Sequence, residues 1–410
     1  MDPRAVEQPT VHVGRQVIFD QYGEVFACEL LFRGAPAQVT SLFVRTFTDF
    51  GLPELVGNRP CLVTVPRDFL VGDLPMPFDP GQVILEVVVA ADLDDAVLTG
   101  IEALAAGGFT IAVTAEVADF SDRLLPVAAY LKINLPGAAE SVMDLARTCH
   151  ERHPHLRLIA AQLETEAQKH RAPALGFSLF QGSVLGRPHV VSMAELSPAR
   201  LSRLRLVSVL AAAEVDFDEA VSLIPGDPAL TYRLLQASNA AASGLPARVS
   251  SVREAAVLLG LPTIRHWVTL MLLSDLSKAR EEQLIPTMIR ARMCQSVAEQ
   301  AGLPGDAAFC VGLLAGIAEL IGQSRPALAQ QLPLTDEVND ALADGAGPLG
   351  HLLAAVRDYE TGDPSGLAEL VDPGAAVHAY LAATAWCNQV MGAAGPVERQ
   401  TSARRPRIAR

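Results

Sequence analysis

The amino-acid sequence predicts a multidomain α/β plus all-α chain. An abbreviated (β/α) barrel of TIM type is expected over residues 11–190, a helical domain over 197–394 and a basic tail over 395–410. Three observations predict it. Up to about residue 188, short apolar runs alternate with amphipathic stretches, the order that builds a parallel sheet wrapped by helices. Beyond Ser197 the pattern is helical throughout, with no convincing strand and no internal repeat. The 410 residues are 50% hydrophobic and 19% charged, enough to bury cores in about two to three domains and unlike a disordered chain.

The candidate strands lie at 13–19, 25–32, 61–65, 83–89, 109–113, 130–133, 156–160 and 177–180, each rich in the β-branched and aromatic residues that suit a pleated surface. Asp92 is placed to cap a helix whose Leu93, Val97, Ile101 and Leu104 form one apolar stripe. A second helix fits 138–151, with Val142, Leu145 and Ala146 inward. Six to eight such units close into a barrel, in which chemistry gathers at the C-terminal ends of the strands. Roughly 180 residues is short for a full eightfold barrel, so some units must be abbreviated.

Gly186-Arg187-Pro188 ends this half, and Ser197-Pro198 opens the next as a cap followed by proline at the first helical position. Asp227-Pro228 repeats that start before 229–237. Ser251 and Glu254 have capping-box spacing before 255–259, which Gly260 closes. Further helices are expected at 263–279, 285–301, 306–323 and 374–391. Arg404, Arg405, Arg407 and Arg410 mark the tail as a solvated, frayed end.

The net charge of −14 opposes phosphate backbones, so nucleic acid is not an expected partner. Only three lysines occur, Lys132, Lys169 and Lys278, which makes a lysine inside a motif informative. Six scattered cysteines without a C-x-x-C pair read as buried thiols in a reducing cytoplasm. The first ten residues lack the apolar region of a secretory signal. The uncharged stretch between Asp372 and Glu398 is broken by His378, Asn388 and Gln389, so it reads as a terminal helix and not a membrane span. His150, His153 and His155 read as a solvated turn, and Trp267 and Trp386 as core. Neither a G-x-G-x-x-G after a strand nor a G-x-S-x-G at a strand end is present, which removes dinucleotide-fold and acyl-transfer readings.

Arg15-Gln16-Val17-Ile18-Phe19-Asp20 followed by Cys28-Glu29-Leu30-Leu31-Phe32-Arg33 resembles the opening of an EAL domain, the barrel that hydrolyses cyclic di-GMP. Glu29, Leu31 and Arg33 match its Glu-x-Leu-x-Arg motif. Leu85-Glu86, Tyr130-Leu131-Lys132-Ile133, Leu158-Ile159-Ala160 with Leu163-Glu164-Thr165, and Phe180-Gln181-Gly182 continue the resemblance in order over about 175 residues. The resemblance implies a vestigial nucleotide pocket of Glu29, Arg33, Glu86, Lys132, Glu164 and Gln181. It also implies Mg²⁺, since phosphodiester hydrolysis needs divalent metal held mainly by carboxylates.

Against that pattern several ligands are missing. Val63-Thr64-Val65-Pro66 stands where the family has an asparagine, and Val113-Thr114-Ala115-Glu116-Val117 where it has paired aspartates. Ala161 and Asn134 replace two further acids, and the stretch from Arg33 to Cys61 is short for the family. The expectation is therefore a barrel that is not an enzyme and holds no metal. Two readings of the surviving residues stay open: Glu29, Glu86 and Lys132 satisfy one another's charge, or Arg33 and Lys132 bind an anionic nucleotide.

The second half resembles an HDOD domain, through Asp227-Pro228-Ala229-Leu230, Leu234-Leu235, Ala237-Ser238-Asn239-Ala240 and Val249-Ser250-Ser251-Val252 through Gly260. That resemblance implies a docking module. No histidine is followed by aspartate, and Ala315 and Gly316 in Gly312-Leu313-Leu314-Ala315-Gly316-Ile317 cannot ligate a metal. The function expected is bacterial signal transduction through a protein partner of the helical half. The alternatives are a cyclic di-GMP receptor and a phosphodiesterase in which Glu116 replaces the missing aspartates.

Overall fold

The computed structural model describes residues 11–89, 94–115, 122–135, 140–185, 204–207, 209, 217–224, 251–260, 264, 281–332 and 334–393. Eight strands close into one barrel in sequence order: β1 (His12–Asp20), β2 (Val25–Arg33), β3 (Cys61–Thr64), β4 (Val83–Val89), β5 (Thr110–Ala115), β6 (Tyr130–Asn134), β7 (Arg157–Ala161) and β8 (Phe177–Phe180). All eight expected strands are present. The all-parallel arrangement is not, because β1 runs antiparallel to both β2 and β8. Only a short turn separates β1 from β2, and so few residues can join antiparallel strands only. Asp20 closes that turn by accepting from the amides of Tyr22 and Glu24, both at 2.9 Å.

The connections from β2 onward carry α1 (Pro36–Asp49), α2 (Leu52–Val56), α3 (Arg67–Leu70), α4 (Asp95–Ala106), α5 (Glu140–Arg152) and α6 (Glu166–Arg171). Helix α1 went unforeseen. Its Phe43 and Phe47 pack edge-on to each other and against Phe32 and Phe78, covering the outside of β2. Asp94, not Asp92, caps α4 by accepting from Val97 N at 2.9 Å; Asp92 lies outside the described residues. Abbreviation falls on α2, α3 and α6, each of six residues or fewer.

Alternation along the strands sorts the barrel interior into layers. Ile18, Ala27, Leu62, Ile84, Ala112, Ile159 and Leu179 form one buried apolar cluster. Two residues further toward the C-terminal mouth of β2–β8, the same inward positions are Glu29, Thr64, Glu86, Thr114, Lys132, Ala161 and Gln181. The polar layer thus rests on an apolar floor.

The helical region comprises α7 (Phe217–Leu223), α8 (Val252–Leu259), α9 (Glu281–Gln300), α10 (Gly305–Ile321), α11 (Arg325–Ala329), α12 (Asp336–Ala343), α13 (Gly347–Thr361), α14 (Ser365–Ala368) and α15 (Pro373–Ala393). Ser251 caps α8 by accepting from Glu254 N at 3.1 Å, as its spacing predicts. The expected starts at Ser197 and Asp227, most of the helix at 263–279 and the tail lie outside the described residues. Helices α9 and α10 share the core of this region. A Cβ on Gly312 would lie 3.0 Å from Ala291 Cα, and one on Gly316 would lie 2.7 Å from Thr287 Oγ1, so the two glycines let α9 approach closely. Arg290 is buried there, paired with Glu360 at 2.7 Å and Glu319 at 2.9 Å.

The helical region joins the barrel along β1. Strand β1 pairs with β8 only through Phe19 and Asp20, yet it stays paired with β2 as far as His12. Its outer edge therefore presents unpaired backbone groups, which burial would leave costly. Two tyrosines satisfy them. Tyr359 Oη accepts from Val13 N at 3.3 Å and donates to Val13 O at 3.2 Å, and Tyr380 Oη accepts from Arg15 N at 3.0 Å. Val377 and Leu381 of α15 enter the barrel-side core.

Candidate functional site

The polar layer at the mouth is a closed hydrogen-bonded unit. Lys132 on β6 donates to Glu29 Oε1 on β2 at 2.6 Å and to Glu86 Oε1 on β4 at 3.0 Å. Gln181, just beyond β8, donates through Nε2 to Glu29 Oε2. Thr64 and Thr114 donate to the two oxygens of Glu86, at 2.6 and 2.5 Å. Glu29 and Glu86 are 0% and 1% exposed, which only pairing on this scale makes tolerable.

Parallel register explains the convergence. Thr64 sits opposite Glu86 and Thr114 opposite Lys132, so neighbouring strands bring these side chains to one level. The crossing from β7 to β8 secures Gln181. Gln162 takes the left-handed conformation, φ 58°, rare for a non-glycine residue and here used to turn the chain sharply. Leu163 N then donates to Gln181 O at 3.0 Å, and Gln181 N to Ala160 O at 2.8 Å. Gly182 lies so close to the backbone of Leu163 that no Cβ would fit.

The electrostatics separate the two carboxylates. Burial, reinforced by the negative charge of Glu86, pushes Glu29 up to about 7, against the opposing pull of Lys132 and Gln181. Burial would also raise Glu86, but Lys132 and the two threonine hydroxyls outweigh it and hold the group below its ordinary value. Lys132 is raised: burial opposes its charge, and the two glutamates more than restore it. The pair thus takes up one proton near neutrality, and Glu29 is the more easily protonated member.

Of the six residues expected at the site, Glu29, Glu86, Lys132 and Gln181 come together. Arg33 and Glu164 do not join them. Arg33 is exposed, about 13 Å further along β2 by strand rise, beside Gly362 of the helical region. Glu164 is exposed on the loop after β7. Thr64 and Thr114 were read only as lost ligands, whereas each donates to Glu86. The signal that could have found them is inward alternation at the level of Glu86. Glu116, the suggested substitute ligand, lies outside the described residues.

A hard divalent cation takes about six to eight oxygen ligands for Ca²⁺, or an octahedral set for Mg²⁺. All four carboxylate oxygens of Glu29 and Glu86 are already engaged, and the Lys132 ammonium stands between them. Among the described residues no group of three histidine, cysteine, aspartate or glutamate side chains could hold a metal. The arrangement of these residues does not fit a divalent metal.

The fold is an eight-stranded barrel followed by a helical region, and residues 198–335 match the HDOD domain family. The chain is 26% identical over 415 residues to the uncharacterized protein YuxH of Bacillus subtilis, covering 93% of this chain and 99% of that one. It is 27% identical over 374 residues to the cyclic di-GMP phosphodiesterase CdgJ of Vibrio cholerae, covering 87% of each. Similar solved structures are the PaMucR phosphodiesterase in complex with c-di-GMP and the EAL domain of Mycobacterium smegmatis DcpA. The first has 21% identity, TM-score 0.34 and coverage of 46% of this chain and 100% of that one. The second has 19% identity, TM-score 0.34 and coverage of 43% and 92%.

The relationship to CdgJ overturns the expectation that this chain is not an enzyme. That expectation counted carboxylates position by position along a motif. Among the described residues Glu29 and Glu86 are the carboxylates of the polar layer, so the correction comes from the relationship and not from a further group at the mouth. No helix among the described residues is long and apolar enough to cross a membrane.

Proposed function

We propose that the C-terminal mouth of the barrel receives cyclic di-GMP, and that the chain serves cyclic di-GMP signalling with residues 11–190 and 197–394 as its two functional units. The observation that carries this reading is the buried polar layer of Glu29, Glu86, Lys132 and Gln181 at the mouth, in a chain related to CdgJ over most of its length. Lys132 has three N–H donors and spends two on the glutamates, which leaves one for a phosphate oxygen. Protonation of Glu29 near neutrality lowers the negative charge that an incoming phosphate meets. The helical region, fastened to β1 by Tyr359 and Tyr380, is suited to transmit occupancy of the mouth to a protein partner.

The second reading is hydrolysis of the bound nucleotide, favoured by the relationship to CdgJ. One experiment addresses both. Cyclic di-GMP is titrated calorimetrically into wild type, Lys132→Met and Gln181→Ala, and the nucleotide is then recovered and chromatographed. Saturable binding that weakens at least about tenfold in both variants, the effect of losing a charge-assisted hydrogen bond, supports the mouth as the site. Linear dinucleotide in the recovered fraction supports the second reading. Binding unchanged in both folded variants, or none in wild type, overturns the first.

A further inference from the structure

The inner face of the barrel continues above the polar layer. Glu29 faces inward, so Leu31 and Arg33, two and four residues further along β2, share that face. In the β1–β2 ladder Gln16 lies opposite Glu29, Gly14 opposite Leu31 and His12 opposite Arg33. Residues directly opposed in an antiparallel pair stand on the same face, so these three also point inward. All five of His12, Gly14, Gln16, Leu31 and Arg33 line one cleft of about 250 Å³. The cleft is therefore the next storey of the mouth on its β1–β2 side, with Leu31 about 7 Å beyond Glu29 by strand rise.

The far wall of this storey belongs to the helical region. Ile285, Pro286 and Ile289 line it from one face of α9, and Thr361 and Gly362 line it from the end of α13. The two sides meet closely: His12 Nε2 donates to the Tyr359 carbonyl at 3.0 Å, and a Cβ on Gly362 would lie 2.9 Å from Arg33 Nη1. A ligand seated over Lys132 therefore has the helical region beside it. The lining selects which part of that ligand enters. A space of 250 Å³ is below the roughly 300–1,000 Å³ that encloses a whole drug-sized molecule, so it takes a fragment. Leu31 and the three α9 residues offer apolar surface to a flat ring. Glu360, also in the lining, adds negative charge that opposes a phosphate, whereas the Gln16 amide can meet the polar edge of a base.

We propose that the helical region forms one wall of the nucleotide site: with the phosphates of cyclic di-GMP over Lys132, one guanine base enters this cleft between Leu31 and the Ile285–Ile289 face of α9. This rests on the reading of the mouth as the cyclic di-GMP site and adds to it a second unit in contact with the ligand. A base held between the two units binds their docked arrangement better than any other, so occupancy of the mouth stabilises the docking.

Cyclic di-GMP is titrated calorimetrically into the full chain as wild type, Lys132→Met, Thr361→Trp and Thr361→Ser. Thr361 is exposed, so the tryptophan substitution fills the cleft from the helical side and leaves the polar layer intact. The serine substitution keeps the hydroxyl that donates to Asp358 O at 2.8 Å and serves as the size control. Binding at least about tenfold weaker in Thr361→Trp, and within about twofold of wild type in Thr361→Ser, is expected. Hydrogen exchange around Ile285–Ile289 should slow when the nucleotide is bound to wild type. Affinity unchanged in Thr361→Trp while Lys132→Met weakens it overturns the shared site and leaves the mouth as the nucleotide site. Weakening in Thr361→Trp without weakening in Lys132→Met, or no binding in wild type, overturns both.

Discussion

Replacing Lys132 with methionine tests how the mouth is held together. The ammonium lies 2.6 Å from Glu29 and 3.0 Å from Glu86, and both carboxylates are almost wholly buried. Methionine keeps the stem and removes the cation that bridges them, leaving two like charges desolvated side by side. Breaking a buried ion pair from one side costs about 3–5 kcal/mol. The second substitution Glu29→Gln removes one of the stranded charges, so the double variant recovers part of that loss. Urea denaturation followed by far-UV circular dichroism at pH 8, read as a double-mutant cycle, gives the coupling directly. A coupling of about 2 kcal/mol or more is expected. A single-variant loss below about 1 kcal/mol, or strict additivity, would mean that Lys132 does not hold the two carboxylates in place.

Three further outcomes are expected. Because the folded-state pKa of Glu29 is raised, to about 7, its contribution is fully present below the unfolded value of 4.5 and is lost as pH rises toward 7. A shift of that size corresponds to about 3 kcal/mol, so pH-dependent denaturation of Glu29→Gln should lack this part of the wild-type decline. Tyr359→Phe removes both hydrogen bonds to Val13, which should cost about 1–2 kcal/mol and speed amide exchange at Val13 while leaving β3–β7 unchanged. Gly182→Ala forces a Cβ into the backbone of Leu163, and a loss of about 1–3 kcal/mol in thermal denaturation is expected.

The strands of the barrel were legible because each carries its own apolar run between turn signals. The β1–β2 hairpin was not read as such, since periodicity finds strands without giving their direction. The short turn held that information. Helix α1 was passed over: β-branched and aromatic residues such as Val39, Val44, Phe43 and Phe47 dilute a helical signal that packing against β2 then enforces. Glu29, Glu86, Lys132 and Gln181 were legible as a set through the family resemblance, but not Thr64 and Thr114, whose importance comes from register between strands. Arg33 was placed in the nucleotide pocket by its motif; it ends β2 with its guanidinium beside Gly362, outside the hydrogen-bonded layer of Glu29, Glu86, Lys132 and Gln181. The judgement on catalysis was overturned by the relationship to CdgJ, which a count of carboxylates within one sequence has no means of seeing.

The most direct test of the proposal that the mouth receives cyclic di-GMP is hydrogen-exchange mass spectrometry with and without the nucleotide. Slowed exchange is expected at the mouth ends of β2, β4 and β6 and around Gln181, with the opposite end of the barrel unchanged. Protection confined to the helical region, or none at saturating nucleotide, would contradict it.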